Sequence, residues 1–320
     1  MANIRLVLNG KSSGDQRVRR SVTEIRERGH QVSVRVTWEA DDMTRLMNEA
    51  LEDAAKGHID TVVAGGGDGT VNEVFSSAFT LGIPARCTFG ILPLGTANDF
   101  ARSAGLPVED LTASLLMITD TPASAIDLGL FDGRPFVNVL TGGFGSEVTA
   151  ETDPALKHRL GSLAYALTGL LRIGNLSASS GVFRAENFEW EGGFSALAIG
   201  NGRQAGGGIQ LCPEATINDG LLDLMIMPHL PHSLRAEALG RLLRQGKAAV
   251  RSLIKTAKSP WFTYQSTEDL HVNLDGEPTR TNSFRVECRP AAISVHIGNS
   301  PLLAPPGGDA DVLAVTSSAE

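Results

Sequence analysis

The sequence has few cysteines, few aromatic residues and no long apolar run, and each shortage excludes a class of protein. Cys87, Cys212 and Cys288 lie far apart without paired spacing, so neither a disulfide framework nor a thiolate zinc site is indicated. No uninterrupted apolar run approaches the ~20 residues that span a bilayer. The apolar stretch at the N-terminus is short and typical of a first strand, not of a signal peptide. We therefore expect a cytoplasmic protein.

Positive charge is also in deficit. The chain carries 28 lysines and arginines against 36 aspartates and glutamates, a net charge of −8. Because binding to nucleic-acid phosphates needs a basic field, we expect no nucleic-acid partner. A length of 320 residues with 42% hydrophobic content predicts two domains, each with its own core.

The order of strand-like and helix-like patterns divides the chain into two parts and a tail. Residues 1–123 alternate the two patterns, which predicts an α/β domain with a Rossmann-like parallel sheet. Residues 124–300 are dense in strands, typical of antiparallel sheets or a sandwich, and Asp132–Pro135 is the turn of a hairpin. A leucine stripe from Leu156 to Leu170 predicts one of two helices there. Residues 301–320, rich in Pro, Gly, Asp and Ser, are expected to form a flexible tail.

A glycine-rich loop, Ala64–Thr70, lies between a buried strand and a helix that begins near Val71. Consecutive glycines allow close approach of a ligand, and the free N–H groups of a helix start bind anions, so phosphate is the expected ligand. The structural alternative is a tight turn. The loop is neither a P-loop nor a dinucleotide fingerprint. A formal fingerprint at Gly200–Ala205 continues into Gly206–Gly208, which predicts a flexible loop instead.

A second glycine turn, Leu94–Phe100, also joins a strand to a helix start. Thr96 or Asn98 has the side chain of a helix cap, which is the alternative to a role in binding. The carboxyl ends of strands in an open sheet form one crevice, so the two turns should converge there and bring Asp68 and Asp99 together.

The same motif set extends along the chain. Besides the two glycine turns it includes Thr141–Gly145, Gly200–Gly208, Leu211–Pro213, Asn218–Leu222 and Asn273–Pro278. Together these motifs, over about residues 4 to 303, resemble the diacylglycerol kinase catalytic-domain family and its YegS-type bacterial lipid kinases. One departure is at Asn9–Gly14, where glycine replaces the proline of Asn-Pro-x-Ser-Gly and one residue is added.

The resemblance implies an α/β nucleotide-binding domain, a β-sandwich lipid-substrate domain, and transfer of the γ-phosphate of ATP to a lipid hydroxyl with magnesium. The substrate class it implies is a glycerolipid such as phosphatidylglycerol or diacylglycerol. By the same resemblance, a set of residues receives predicted roles. ATP would be bound by Thr37, Gly67, Asp68, Gly69, Thr70, Val71, Asn72, Glu73 and Thr96, and Mg²⁺ by Asp219 with the backbone carbonyls of Thr216 and Leu221; Glu277 would accept the proton, and Asp68 and Asp99 would be acidic residues of the active centre.

These residue types suit the chemistry. Magnesium prefers oxygen ligands, and phosphoryl transfer requires positioning, electrostatic stabilisation and a carboxylate that accepts the alcohol proton. Alone, the Asp275–Glu277 sequence is an ordinary hairpin turn, and only the joint pattern indicates a base.

A basic stripe follows at about residues 241–258. Its members, at spacings of three or four on one predicted helix, are Arg241, Arg244, Lys247, Arg251, Lys255 and Lys258. The stripe is either a solvated outer face or a surface that docks peripherally to anionic lipid at the inner membrane.

Two other functions remain open. One is a kinase of a soluble alcohol, similar to NAD kinases, since Gly-Gly-Asp-Gly-Thr also resembles their site. The other is a nucleotide-binding regulator without catalysis, which the presence of both Asp219 and Glu277 disfavours.

Overall fold

The computed structural model describes residues 1–39, 41–143, 167, 178–274 and 277–304. In its first part strands and helices alternate. The elements are β1 (Asn3–Asn9), α1 (Gln16–Glu27), β2 (Gln31–Thr37), α2 (Asp42–Ala55), β3 (Thr61–Gly66), α3 (Asp68–Leu81), β4 (Thr88–Pro93), α4 (Asp99–Ser103) and α5 (Leu111–Asp120), with short 3₁₀ turns at Gly10–Ser12 and Ile83–Ala85.

The four strands form a parallel sheet in the order β2-β1-β3-β4. Apolar residues of α1 and α5 cover one face, and those of α2 and α3 cover the other. All six residues of β3 are buried, as expected of a parallel strand covered on both faces. The parallel pairing places the turns after β1, β2, β3 and β4 along one edge.

The second part is strand-rich and antiparallel. Its elements are β5 (Ser124–Phe131), β6 (Arg134–Phe136), β7 (Val139–Gly142), β8 (Ser179–Ala185), β9 (Phe188–Gly200), β10 (Gln204–Ala205), β11 (Ile209–Gln210), β12 (Leu222–Pro228), α6 (His232–Gln245), α7 (Lys247–Val250), β13 (Lys255–Ser259), β14 (Trp261–Leu274) and β15 (Glu277–Val295). The predicted hairpin is confirmed: Asp132 and Gly133 have φ of 46° and 83° and form a two-residue turn between β5 and β6.

Strand β15 connects the two parts. It pairs antiparallel with β14 and β5, and its last residue, Val295, pairs in parallel with Phe89 of β4. The apolar runs Phe284–Cys288 and Ile293–Ile297 predict two separate strands here. The register shifts between Arg289 and Ile293, where Ala291 adopts φ 48°, so the local break is real although the strand continues.

The core of the first part accordingly includes residues from far along the chain. Ile293, Val295 and Leu302 pack in one cluster with Val62 and Phe89. Leu302 is fully buried, so residues 301–304 of the predicted tail are part of the packed structure, and residues 305–320 lie outside the described residues. The leucine stripe also lies outside them except for Leu167, which is buried in a cluster with α6 and α7.

The prediction of one basic helix over residues 241–258 is wrong. Helix α6 ends at Gln245 because Gly246 follows with φ 55° and ψ −126°, and Lys255 and Lys258 belong to strand β13. The side chain of Arg241 pairs with Glu237. Within the described ranges, no helix is long and apolar enough to cross a membrane.

Candidate active site

The two glycine turns touch each other at the carboxyl edge of the parallel sheet. Leu94 N donates to Gly66 O at 2.9 Å. A Cβ atom added to Gly95 would lie 2.4 Å from Gly67 Cα, and one added to Gly67 would lie 3.0 Å from Gly95 Cα. The predicted convergence is confirmed, and it depends on the absence of side chains at both positions.

Helix α3 begins at this contact, and its first turn lies at the open carboxyl edge of the sheet. Gly67 occupies the N-cap position and offers no side-chain cap, and Val71 N is the first amide that bonds back, to Gly67 O at 3.0 Å. The N–H groups of the preceding turn have no acceptor within the helix, which makes them donors for an anion. Gly69 has no atom within 4 Å of an added Cβ, so this turn is open on its outer side.

Asp68 joins the first glycine turn to the second. Its two carboxylate oxygens accept from Asp99 N at 2.9 Å and Phe100 N at 3.0 Å, so Asp68 caps helix α4. The expected cap by Thr96 or Asn98 is therefore wrong. The side chain of Asn98 instead closes its own loop through Gly95 N and Gly95 O, at 2.9 and 2.8 Å.

Asp99 in turn joins α4 to the triple-glycine loop. Its carboxylate accepts from Gly207 N at 3.0 Å and Gly208 N at 2.7 Å, while Gln204 Nε2 donates to its backbone oxygen at 2.7 Å. Gly206, Gly207 and Gly208 all have positive φ, a backbone region where glycine is favoured. Asp68 and Asp99 thus meet as predicted and position backbone. Direct contact of either carboxylate with a substrate stays a prediction.

The predicted nucleotide-binding residues differ in how far they are exposed to solvent. Gly69, Glu73 and Thr96 are exposed, and Gly67, Asp68, Asn72 and Thr37 are half-buried. Val71 packs its side chain into the core, so only its backbone faces the site. Thr70 is buried, and its Oγ1 accepts from Asn9 Nδ2 at 3.3 Å, which joins the glycine loop to the end of β1.

A surface cavity of about 440 Å³ opens next to this link. It is lined by Asn9, Gly10, Lys11, Thr37, Trp38 and Glu39, from the ends of β1 and β2. Another cavity, of about 500 Å³, lies at the amino ends of the same strands and includes Asp60, Thr88 and His296. Ligands of open α/β sheets bind at the carboxyl ends, so the first cavity is the relevant one.

Glu277 is the first residue of β15. Its carboxylate forms an ion pair with Arg134 of β6, and both side chains are about half exposed. The next residue along β6, Pro135, accepts a hydrogen bond from Ser76 of α3 at 3.1 Å. Arg134 thus links Glu277 to strand β6, whose next residue contacts α3. Residues 275 and 276 of the predicted turn lie outside the described residues.

The predicted metal residues form a second cluster, before β12. Asp219 accepts from Thr216 Oγ1 at 2.5 Å and from Leu221 N at 3.0 Å. Lys258 Nζ lies 3.7 Å from Asp219 and 3.2 Å from Asp223. The described residues contain no group of three or more His, Cys, Asp or Glu side chains arranged to hold a metal ion. A cation here would therefore depend on backbone carbonyls in addition to Asp219.

The acids of this cluster outnumber its cation. Burial raises the pKa of Asp223 to about 6, with Lys258 lowering it and Asp219 raising it. Burial also raises the pKa of Asp127, whose carboxylate accepts from Gly220 N and Ala291 N, both at 2.8 Å. An all-oxygen donor set with surplus negative charge suits a hard divalent cation. The residues present thus fit Mg²⁺ in donor type and charge.

Sequence reasoning missed Arg134, Lys258 and Asp127. Arg134 lies within the predicted turn Asp132–Pro135, and its ion-pair partner, Glu277, lies 143 residues further along the chain. The sequence does indicate a role for Asp127, because an acidic side chain within the apolar strand Ile126–Leu128 needs buried hydrogen-bond partners.

A parallel sheet with two touching glycine turns at its carboxyl edge, joined to an antiparallel β domain, has the features of a phosphate-binding protein. Comparisons with known proteins narrow the class. The family model of the diacylglycerol kinase catalytic domain matches residues 3–131, and that of the YegS C-terminal NAD kinase beta sandwich-like domain matches residues 138–297.

Relatives match nearly the whole chain. A protein of Pseudomonas aeruginosa named "Probable lipid kinase YegS-like" is 49% identical over 302 residues, covering 94% of this chain and 96% of the relative. A protein of the same name from Xanthomonas axonopodis pv. citri is 47% identical over 307 residues, 93% of this chain and 97% of the relative. The chain belongs to the YegS-like lipid kinase family, with a diacylglycerol kinase catalytic domain followed by a β-sandwich-like domain.

Solved structures agree on the fold. The crystal structure of a diacylglycerol kinase from Bacillus anthracis has a TM-score of 0.66 at 19% identity, covering 95% of this chain and 97% of that chain. Another from the same organism has a TM-score of 0.72 at 23% identity, covering 95% and 96%.

Proposed function

We propose that this protein is an ATP- and magnesium-dependent lipid kinase that transfers the γ-phosphate to a hydroxyl of a glycerolipid such as phosphatidylglycerol or diacylglycerol. The observation that carries the proposal is the contact between the glycine turns at Gly67 and Gly95, braced by Asp68 and Asp99. It aims the N–H groups of α3 at one place, as a polyphosphate site requires. The 45–49% identical relatives support the lipid kinase assignment.

On the donor side, residues 1–123 act as a Rossmann-like nucleotide-binding domain. The amides of Gly67–Thr70 bind phosphate oxygens, and Thr37 and Thr96 border the nucleotide on either side of this turn. Asp68 and Asp99 hold the turns and the Gly206–Gly208 loop in place. Because phosphoryl transfer depends mainly on positioning and charge, such bracing contributes directly to the rate.

On the acceptor side, Glu277 accepts the proton of the lipid hydroxyl as that oxygen attacks the γ-phosphorus and ADP leaves. Its ion pair with Arg134 supports this role in two ways. The guanidinium holds the carboxylate in one position. It also brings positive charge to the side of the cleft where the phosphoryl group arrives.

Mg²⁺ is assigned to Asp219 with the backbone carbonyls of Thr216 and Leu221. When bound, it would supply positive charge to the cluster of Asp127, Asp219 and Asp223, of which Asp219 and Asp223 lie 3.7 and 3.2 Å from Lys258. The residues of the chain hold the turn before β12 in position, chiefly through the bonds of Asp219 to Thr216 and Leu221.

The test is transfer of radiolabelled γ-phosphate from ATP with magnesium to detergent-dispersed lipids, beside NAD and sugar alcohols. We expect label in a glycerolipid, lost in Glu277→Gln although that variant still binds ATP. Glu287→Gln, on the same strand, is the matched control and should keep activity. Label in NAD alone would favour the soluble-substrate alternative, which the NAD kinase-like description of the second domain keeps relevant. Absence of any transfer despite bound ATP would favour a regulator.

We also propose peripheral contact with anionic membrane through the outer side of α6 and α7. Arg244 and Arg251 are exposed, and Leu243, the neighbour of Arg244 on α6, is 37% exposed. Exposed cations together with an exposed leucine favour binding at a lipid surface. The double variant Arg244→Gln/Arg251→Gln should sediment less with anionic vesicles than wild type. The control Arg19→Gln/Arg20→Gln, which removes two exposed charges from α1, should sediment as wild type does, and equal loss in both would contradict the assignment.

A further inference from the structure

Trp38 is unusual among the large apolar residues of this chain. It is 73% exposed, and of the described residues only Met1 has a more exposed large apolar side chain. It follows Thr37 at the carboxyl end of β2, on the edge of the sheet where the glycine turns lie. Its indole forms one wall of the cavity of about 440 Å³ described above. Cavities that bind small ligands commonly measure about 300–1,000 Å³.

The backbone holds this tryptophan in place even though its ring is exposed. Trp38 N and Glu39 N both donate to Asp42 Oδ2, at 2.7 and 3.0 Å. Asp42 is the first residue of α2 and also pairs with Arg45 at 2.7 Å. The turn after β2 is thus fixed by a carboxylate with three partners, and the ring is presented at a defined position.

Gly10 packs closely against the turn that carries Trp38 and also lines the cavity. Gly10 passes so close to β2 that an added Cβ would lie 2.3 Å from Thr37 O, and it would lie 3.7 Å from Cε3 of the Trp38 ring. Glycine at this position therefore matches the close packing against Thr37 and Trp38. Among the described residues the hydroxyl of Thr37 makes no hydrogen bond, so it is free to meet the edge of a ligand.

The cavity adjoins the phosphate-binding turn. Asn9 lines the cavity and donates to Thr70 of the glycine loop at 3.3 Å, while its Oδ1 accepts from Lys11 N at 3.0 Å. A molecule whose phosphates contact the first turn of α3 can therefore extend along β1 and β2 into the cavity. A flat heteroaromatic group is the part of such a molecule that an exposed indole binds.

We propose that Trp38 stacks on the purine base of the donor nucleotide and that Gly10, Thr37 and Trp38 form the base-binding subsite. The inference rests on the proposed function, because it takes the phosphates of the same nucleotide to lie at Gly67–Thr70. Trp38 then contributes to the affinity for the nucleotide through its base, and it does not contribute to the binding of the phosphates.

The test compares ATP with inorganic tripolyphosphate, which has the phosphates and no base, in calorimetric titrations of wild type, Trp38→Ala and Trp38→Phe. We expect Trp38→Ala to weaken ATP binding about 5- to 150-fold, the range that stacking of one base supports. Tripolyphosphate affinity should be unchanged in both variants, and Trp38→Phe should bind ATP close to wild type. In kinase assays the KM for ATP should rise in Trp38→Ala, with kcat and the KM for lipid nearly constant.

Fluorescence gives a second readout. The other two tryptophans lie in the antiparallel part, Trp190 packed with Phe183 and Phe194 and Trp261 under the guanidinium of Arg285 at 4.7 Å. ATP should therefore change the emission of wild type and of Trp261→Phe, and leave that of Trp38→Phe unchanged.

Three results would overturn the inference. They are unchanged ATP affinity in Trp38→Ala, an equal loss of affinity for ATP and tripolyphosphate, and an emission change at Trp38 caused by lipid and not by ATP. Each can occur while wild type phosphorylates lipid, so the inference can fail without the proposed function. Absence of transfer in wild type would instead refute the function.

Discussion

Replacing Gly95 with alanine tests whether contact between the two glycine turns sets the phosphate site. The added Cβ would lie 2.4 Å from Gly67 Cα. Carbon atoms approach to about 3.5–4.0 Å, so one turn must move by about 1 Å. The obstructing atom belongs to the backbone and cannot rotate away. Overpacking of this kind costs about 1–3 kcal/mol, which lowers the melting temperature by about 2–12 °C at about 2–4 °C per kcal/mol.

The functional loss should exceed the loss of stability. A displacement of about 1 Å at a reacting group reduces kcat/KM by about 100-fold. Gly69→Ala is the stability control, because an added Cβ there meets no atom within 4 Å and α3 should gain about 0.5–1 kcal/mol. The assays are thermal unfolding and titration with tripolyphosphate. Wild-type melting temperature and wild-type tripolyphosphate affinity in Gly95→Ala would refute the idea that the contact shapes the site.

Three further predictions concern acids. Asp99→Asn should lower kcat/KM by about 5- to 30-fold, because the charged acceptor of Gly207–Gly208 becomes neutral, and lipid kinase assays would show it. Burial raises the pKa of Asp223 from 3.8 to about 6, so the free energy of unfolding of wild type should fall by up to about 3 kcal/mol as pH rises from 4 to 7. In urea unfolding, Asp223→Asn should gain that amount relative to wild type over this pH range. A difference that stays constant with pH would contradict the burial argument. Mg²⁺ should raise the melting temperature of wild type and not of Asp219→Asn; an equal rise in both would place the ion elsewhere.

Much of the first part could be predicted because its signals are local. The apolar run Thr61–Gly66 followed at once by glycine predicts a buried strand and a turn, and the structure has both. Adjacency of Asp68 and Asp99 followed from sheet topology alone, since neighbouring parallel strands end at the same edge. Sheet topology does not predict which side chain accepts each hydrogen bond. The capping of α4 by Asp68, in place of Thr96 or Asn98, therefore went unpredicted.

The second part was less predictable because its decisive contacts join distant segments. No spacing rule relates Arg134 to Glu277, or Lys258 to Asp219 and Asp223. The basic stripe shows the opposite error. Its spacing fitted one face of a helix, but the helix ends before Gly246. Lys258 belongs to β13 and forms an ion pair with the buried Asp223. A repeat of three or four residues cannot distinguish a helix from a helix followed by a strand.

The pairing of Val295 with Phe89 has a consequence for synthesis of the chain on the ribosome. Strand β4 is made early, but Val295, which pairs with its open edge, is made much later, and Leu302 completes the same core later still. Until then, β4 exposes unpaired backbone groups, which attract other chains. A fragment that stops at the end of β5 would carry the turns at Gly67 and Gly95 and yet lack the segment that pairs with the edge of β4. We expect such fragments to aggregate, and evolutionary exchange of the nucleotide-binding part alone to be constrained by this late strand.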